Sequence, residues 1–195
     1  PSLVGSEMCI RDSLYSMPEI CKYKCNKCGA VLSSGWGGYM YVENEEGVRI
    51  PCHHPTELTE IMQVLKIKTP KTGKQSVVDF LNFQIKFLRE GFPEDIENLV
   101  KSRVGFNFEC ICLDCLYKFY ADVGSAEMIE SFHKRCPDLL DGVFRRYYMP
   151  KEPKDERKCP RCGSANVKTI LELVGQTCPI CREGVIEEID TGEIS

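Results

Sequence analysis

The sequence predicts an α+β fold in which small β modules flank a helical insertion. Cysteines recur in C-x-x-C pairs beside segments of alternating polarity, and the stretch between the first two pairs has the 3.6-residue period of helices. The 195 residues are 43% hydrophobic and 28% charged, which is ordinary for a globular protein. No apolar run approaches the roughly 20 residues that a membrane helix needs.

Residues 1–13 (PSLVGSEMCIRDS) have no strand or helix period and resemble a translated sequencing-adapter read-through, so we treat them as non-native. They lack the basic start, apolar core and cleavage site of a secretory signal, and we therefore expect a cytoplasmic protein. The domain division predicted for the rest is a split cysteine module with a helical insertion over 14–148, a linker over 149–158 and a C-terminal module over 159–195. The linker, MPKEPKDERK, is charged and contains two prolines.

The first elements after residue 13 form a hairpin. Tyr39–Val42 is a predicted strand, residues 44–47 (NEEG) are a turn, and Val48–Ile50 is the return strand. The preceding SSGWGG is predicted as a flexible structural loop, with recognition through its Trp36 as the alternative.

Three helices are predicted next, in the order of the chain. Thr56 caps the first, whose apolar face is Leu58, Ile61, Met62 and Leu65. The second runs from Ser76 to about Glu90, although alternate apolar residues also fit a strand there. The third begins at Pro93 and ends near Ser102.

The remaining elements surround the later cysteine pairs. Alternation predicts a strand over 106–111 and another over 117–120, and Ser125 caps a helix over 126–135. Residues 165–174 are predicted as extended chain, and 185–189 as a short strand.

Eight of the 13 cysteines fall in four C-x-x-C pairs: Cys25 and Cys28, Cys112 and Cys115, Cys159 and Cys162, and Cys178 and Cys181. A gap of two residues lets a tight turn direct both sulfurs at one ion, and Zn²⁺ takes four such ligands as a tetrahedron. The four pairs therefore predict two zinc sites.

The last two pairs are 15 residues apart, in the pattern C-x2-C-x15-C-x2-C, and both are C-P-x-C turns. This stretch of about 35 residues resembles the zinc ribbons, proteins with rubredoxin-like knuckles. The resemblance is generic, and it implies a zinc-bound β scaffold without implying a particular activity.

Four C-x-x-C pairs allow three pairings. The simplest joins the last two pairs as one ribbon and the first two as another, because short loops cost less chain entropy to close. The competing pairing joins Cys112 and Cys115 to Cys159 and Cys162, and Cys25 and Cys28 to Cys178 and Cys181.

Further Cys and His residues leave a third zinc open. Cys52 and His54 could complete a site with Cys25 and Cys28, while His133 and Cys136 could close a site with Cys112 and Cys115. The alternative is that the extra cysteines are buried and the histidines are surface or capping residues.

No strongly basic segment makes nucleic-acid binding evident from charge alone, and the formal net charge is −4. The most suggestive patch is Arg145, Arg146, Tyr147 and Tyr148, followed by the basic residues Lys151, Lys154, Arg157 and Lys158. The leading hypothesis is a non-catalytic structural-zinc protein that binds nucleic acid or a protein partner. The alternative is an enzyme or thiol-redox protein with an open metal site around Cys52–His54.

Overall fold

The computed structural model describes residues 19–53, 57–67, 93–135 and 152–194, which form helices and two antiparallel sheets. The fold is therefore α+β, as predicted. The helices are α1 (Glu57–Val64), α2 (Glu94–Arg103) and α3 (Ala126–Arg135). The strands are β1 (Glu19–Cys25), β2 (Val31–Gly35), β3 (Gly38–Glu43), β4 (Arg49–Pro51), β5 (Val104–Cys112), β6 (Lys118–Ala121), β7 (Val167–Thr169) and β8 (Ile186–Ile194).

The first sheet has the order β2-β1-β8 and joins the two ends of the described chain. The ladder between β1 and β8 runs from Glu19 opposite Ile194 to Cys25 opposite Ile186. On the other side of β1, Cys21 lies opposite Gly35 of β2.

The second sheet is built around β5, the longest strand at its centre. Its first half pairs with β3, which pairs in turn with β4, and its second half pairs with β6. β7 pairs with the last residues of β5, from Cys110 opposite Thr169 to Cys112 opposite Val167. Residues after position 158 thus contribute a strand to each sheet.

Two hydrophobic cores lie on opposite faces of β5. Phe106, Phe108 and Cys110 face the first core, which α1 covers with Ile61 and Met62. The second core lies between the two sheets and contains these buried side chains: Tyr23, Leu32, Ile111, Ile170, Leu173 and Ile186. The single strand β5 therefore contributes side chains to both cores.

A partly buried polar network ties Asp155 to the second sheet. The Arg49 guanidinium donates two hydrogen bonds to the Asp155 carboxylate, at 2.6 and 2.8 Å, and lies 4.5 Å from the centre of the Tyr41 ring. Asp155 also accepts the Asp122 backbone N–H at 2.8 Å, and Tyr41 Oη donates to Asp122 at 2.7 Å. Burial raises the pKa of Asp122.

Most predicted elements are confirmed where the structure describes them. The 39–50 hairpin forms, and Asn44 Oδ1 accepts the N–H groups of Glu46 and Val48 in its turn. α1 buries Leu58, Ile61 and Met62. The third predicted helix is α2, the strands near 106 and 117 are β5 and β6, and the last predicted helix is α3. Thr56 and the helix predicted over 76–90 lie outside the described residues.

Two local predictions need correction. Residues 33–35, the first half of the predicted flexible loop 33–38, belong to strand β2, because β1 supplies a partner that short-range sequence patterns do not reveal. The stretch 165–174 is not extended throughout: after β7 the chain turns through a 3₁₀ segment, Leu171–Leu173. That turn directs Leu173 into the second core.

Candidate metal centres

All four C-x-x-C segments form the same turn, which we call a knuckle. In each, the residue after the second cysteine donates its N–H to the carbonyl of the first cysteine. The donors and distances are Gly29 at 3.1 Å, Leu116 at 2.9 Å, Gly163 at 2.9 Å and Arg182 at 2.9 Å. The same four residues have left-handed backbone, with φ of 74°, 57°, 75° and 61°.

The knuckles meet in two clusters of four sulfurs. The first cluster is Cys25, Cys28, Cys178 and Cys181, and the second cluster is Cys112, Cys115, Cys159 and Cys162. Within each cluster, all Sγ atoms lie within 4.8 Å of one another. Each cluster could therefore hold a metal ion.

The sulfur spacings match a tetrahedral ion. With metal–sulfur bonds of about 2.3 Å, the edges of a regular S₄ tetrahedron are about 3.8 Å long. The Sγ–Sγ distances are 3.6 Å for Cys25 and Cys181, 3.6 Å for Cys112 and Cys162, and 3.7 Å for Cys115 and Cys159. The residues present thus fit a zinc-sized ion bound by four thiolates.

This grouping shows that the favoured pairing was wrong, and the competing pairing is the one observed. The favoured pairing closes loops of 83 residues (29–111) and 15 residues (163–177), whereas the observed one closes 149 (29–177) and 43 (116–158). Loop entropy separates the two by only about 1.5 kcal/mol, since the cost grows with the logarithm of loop length. Strand pairing outweighs that difference.

The strand ladders bring the partner knuckles together. β1 ends at Cys25, and one residue later the Asn26 N–H donates to the Val185 carbonyl at 3.0 Å. β5 ends at Cys112, and the Leu113 N–H donates to the Asn166 carbonyl at 2.8 Å. Each ladder therefore runs directly into its cluster.

The domain division given above, into residues 14–148, 149–158 and 159–195, stays a prediction.

Backbone donors favour the thiolate form of some ligands. The N–H groups of Gly184 and Glu183 lower the pKa of Cys181 to about 6, and the Cys28 N–H lowers that of Cys25. Burial raises the pKa of Cys159, but the N–H groups of Cys162 and Arg161 outweigh it and bring the pKa to about 7. The thiolate is the form that binds metal.

Gly184 is packed tightly against the first cluster. A Cβ at this position would lie 2.4 Å from Cys25 Sγ and 2.7 Å from Lys27 Cβ. The Gly184 N–H also donates to Cys181 Sγ at 3.4 Å. Glycine is needed here for space near the sulfurs.

Cys52 lies outside both clusters. It is buried, and burial followed by the charges of Glu60 and Glu57 raises its pKa to about 12. A thiol in this state is a poor nucleophile and a poor metal ligand. The neighbouring His53 is exposed, and its Nδ1 lies 3.1 Å from Glu60 Oε1.

Other predicted site residues are only partly described. Trp36 lies between β2 and β3, half-buried and packed against the first core, and its use in recognition stays a prediction. His133 lies in α3, but its side chain is not described. The predicted site residues outside the described ranges are His54, Cys136, Arg145, Arg146, Tyr147 and Tyr148.

Sequence reasoning missed the residues that follow each knuckle. Two knuckles are followed by glycine, as left-handed backbone favours, but Leu116 and Arg182 occupy the equivalent positions in the other two. Leu116 and the next residue, Tyr117, are 43% and 40% exposed. Aligning the four C-x-x-C segments would have revealed both exceptions.

Comparisons with protein-family models, curated proteins and solved structures found no match to this chain. Within the described residues, no helix combines the length and apolar character needed to cross a membrane.

Proposed function

We propose that this chain is a non-catalytic structural-zinc protein in which two Zn²⁺ ions hold a zinc-ribbon-like scaffold that binds nucleic acid or a protein partner. The observation that carries the proposal is the convergence of eight cysteines into two clusters of four sulfurs. Four thiolates fill the coordination sphere of Zn²⁺, whereas a catalytic zinc keeps a position for water or substrate.

The position of the clusters supports a structural role. Each joins a knuckle from the first 115 residues to one after residue 158, at the end of a strand ladder. Metal bound there would stabilise the long-range pairing of β1 with β8 and of β5 with β7. Structural zinc contributes on the order of 10 kcal/mol to folding in small modules.

The open-site alternative receives less support. Cys52 is buried with a raised thiol pKa, while His53 is exposed and contacts Glu60. A nucleophilic or redox thiol instead needs a lowered pKa and access to solvent.

Two quadruple variants test the proposal. Replacing Cys25, Cys28, Cys178 and Cys181 by Ser removes one whole cluster, so one zinc per chain should remain. Replacing Cys25, Cys28, Cys112 and Cys115 removes half of each cluster, so no tightly bound zinc should remain. Both variants lose four thiols, which makes each the control for the other.

Zinc would be quantified by mass spectrometry after purification under reducing conditions. The unmodified protein should hold two ions per chain, and strong chelators should unfold it. Absence of metal from the unmodified protein, or the reverse result for the two variants, would contradict the proposed sites.

A further inference from the structure

We infer that the knuckle surface of the second cluster, formed by Leu116, Tyr117, Arg161 and Lys158, binds single-stranded nucleic acid. This deepens the proposed function and rests on it, since metal at the second cluster holds the two knuckles together. Leu116 and Tyr117 follow one knuckle, while Lys158 and Arg161 belong to the other.

The aromatic part of the surface is exposed and already ordered. Tyr117 lies nearly parallel to Phe119, with ring centres 6.1 Å apart and 14° between the planes. The Arg161 guanidinium carbon lies 5.8 Å from the centre of the Tyr117 ring. A guanidinium over an aromatic ring extends the planar surface on which a base can stack and adds a positive charge for its phosphate.

The backbone of Leu116 has an unfavourable conformation. Its φ of 57° is left-handed, a conformation that costs an L-residue about 1–2 kcal/mol and glycine much less. Its side chain is 43% exposed and does not belong to either buried core. Glycine serves the same turn at Gly29 and Gly163. Arg182 of the first cluster is also exposed and has the same strain, with a φ of 61°, so the feature that distinguishes the second cluster is the exposed apolar side chain of Leu116.

The first cluster provides an internal comparison, because its knuckles have the same backbone. Where the second cluster has Leu116, Tyr117 and Arg161, the equivalent positions of the first are Gly29, Ala30 and Ile180. Metal binding therefore does not require the leucine, the tyrosine or the arginine.

The surface around the second cluster is more positive than the surface around the first cluster, and a positive surface favours phosphate. Residues 112–118 and 158–168 carry four positive side chains and one negative, a net charge of +3, whereas the equivalent 25–31 and 177–187 carry two of each. A Zn²⁺ ion with four thiolates adds a charge of −2 to either surface. The net charge is then +1 around the second cluster and −2 around the first.

Within the part of the chain that the structure describes, three of the positive side chains on this surface form no ion pair with an acidic residue. Among the ion pairs between described residues, none involves Lys158, Arg161 or Lys168. The one acid of the knuckles, Asp114, is held by Ser164 and Asn166. At the first cluster, by contrast, Lys27 is paired with Glu183.

Fluorescence anisotropy with labelled dT₁₂ and a mixed-sequence 12-nucleotide RNA tests the inference on the full, zinc-loaded chain. Phosphate contacts by Lys158, Arg161 and the nearby Lys168 predict a slope of log affinity against log salt of about −2, and Arg161→Ala should flatten it by about 0.7. Tyr117→Ala should weaken binding at least about 5-fold, the lower end for loss of one stacked base. Ile180→Ala, at the equivalent knuckle position of the first cluster, should change neither quantity.

Zinc content and circular dichroism are measured on the same samples, so a folding defect is visible. Two bound zincs with no binding of either oligonucleotide at 100 μM protein (about the weakest affinity of nonspecific binding) overturns the inference and leaves the proposed metal sites standing. Binding that Tyr117→Ala and Arg161→Ala leave unchanged also overturns it, as does equal binding of an acidic 12-residue peptide.

Discussion

Gly184→Ala offers a direct test of the first cluster without removing a ligand. The new Cβ would lie 2.4 Å from Cys25 Sγ, against a normal carbon–sulfur contact of about 3.7 Å. Relief of that overlap requires the sulfur or the Gly184 backbone to move by about 1 Å. Metal–ligand distances in a good site hold to about 0.2 Å, so a shift of this size disrupts the tetrahedron.

We expect the zinc affinity of the first cluster to fall at least about 100-fold, the upper end for disturbance of the groups around metal ligands. Competition with a chromogenic chelator would show one zinc released early and one released as in the unmodified protein. Gly47→Ala is the control, because no heavy atom lies within 4 Å of a Cβ there, and it should keep both ions even though its φ of 77° strains the backbone, which the φ of Gly184 does not. Two unaltered zincs in Gly184→Ala would refute the packing argument.

Three further outcomes are expected. Leu116→Gly should raise the free energy of unfolding in urea by about 0.5–1 kcal/mol, because relief of left-handed strain exceeds the added chain entropy, while weakening dT₁₂ binding; unchanged stability would contradict the strain argument. Asp155→Ala should lower that free energy by about 1–2 kcal/mol by removing the paired hydrogen bonds from Arg49, with the exposed Glu152→Ala as control; equal effects would mean that the contact contributes nothing. Chelation of zinc at pH 7 should abolish the far-ultraviolet signal of the sheets, and re-addition should restore it; a sheet signal that survives complete metal removal would contradict a structural role.

Local elements were predictable because their signals are short-range. The turn at 44–47 depends on the Asn44 side chain, and α3 begins at a capping serine. The sequence of β5 alternates because Phe106, Phe108 and Cys110 face the first core, whereas Asn107 and Glu109 belong to neither core. Each of these signals lies within about ten residues of the element that it specifies. The strand β2 lacks such a signal, since its partner β1 determines its conformation.

The candidate ligands were predictable from spacing, but their grouping was not. C-x-x-C specifies a knuckle, and loop entropy is the only term in the sequence that ranks the pairings. That term is about 1.5 kcal/mol, smaller than the contribution of two ladders with nine paired positions between them. β8 extends to Ile194, well past the predicted residue 189, and this added length is what allows it to pair along the whole of β1.

Along the chain, both knuckles of the second cluster lie between the two knuckles of the first. The two candidate metal sites therefore have different roles in the fold. The second cluster fixes β7 against β5, and the chain that follows places Ile170 and Leu173 in the second core beside Ile111. Tyr23 of β1 and Ile186 of β8 pack into that same core. Metal bound at the second cluster would therefore stabilise the part of the shared core against which the first sheet packs. Closure of the second cluster shortens the remaining loop only modestly, which is worth a few tenths of a kcal/mol. Coupling between ions bound at the two clusters would consequently pass through the shared core and not through loop length.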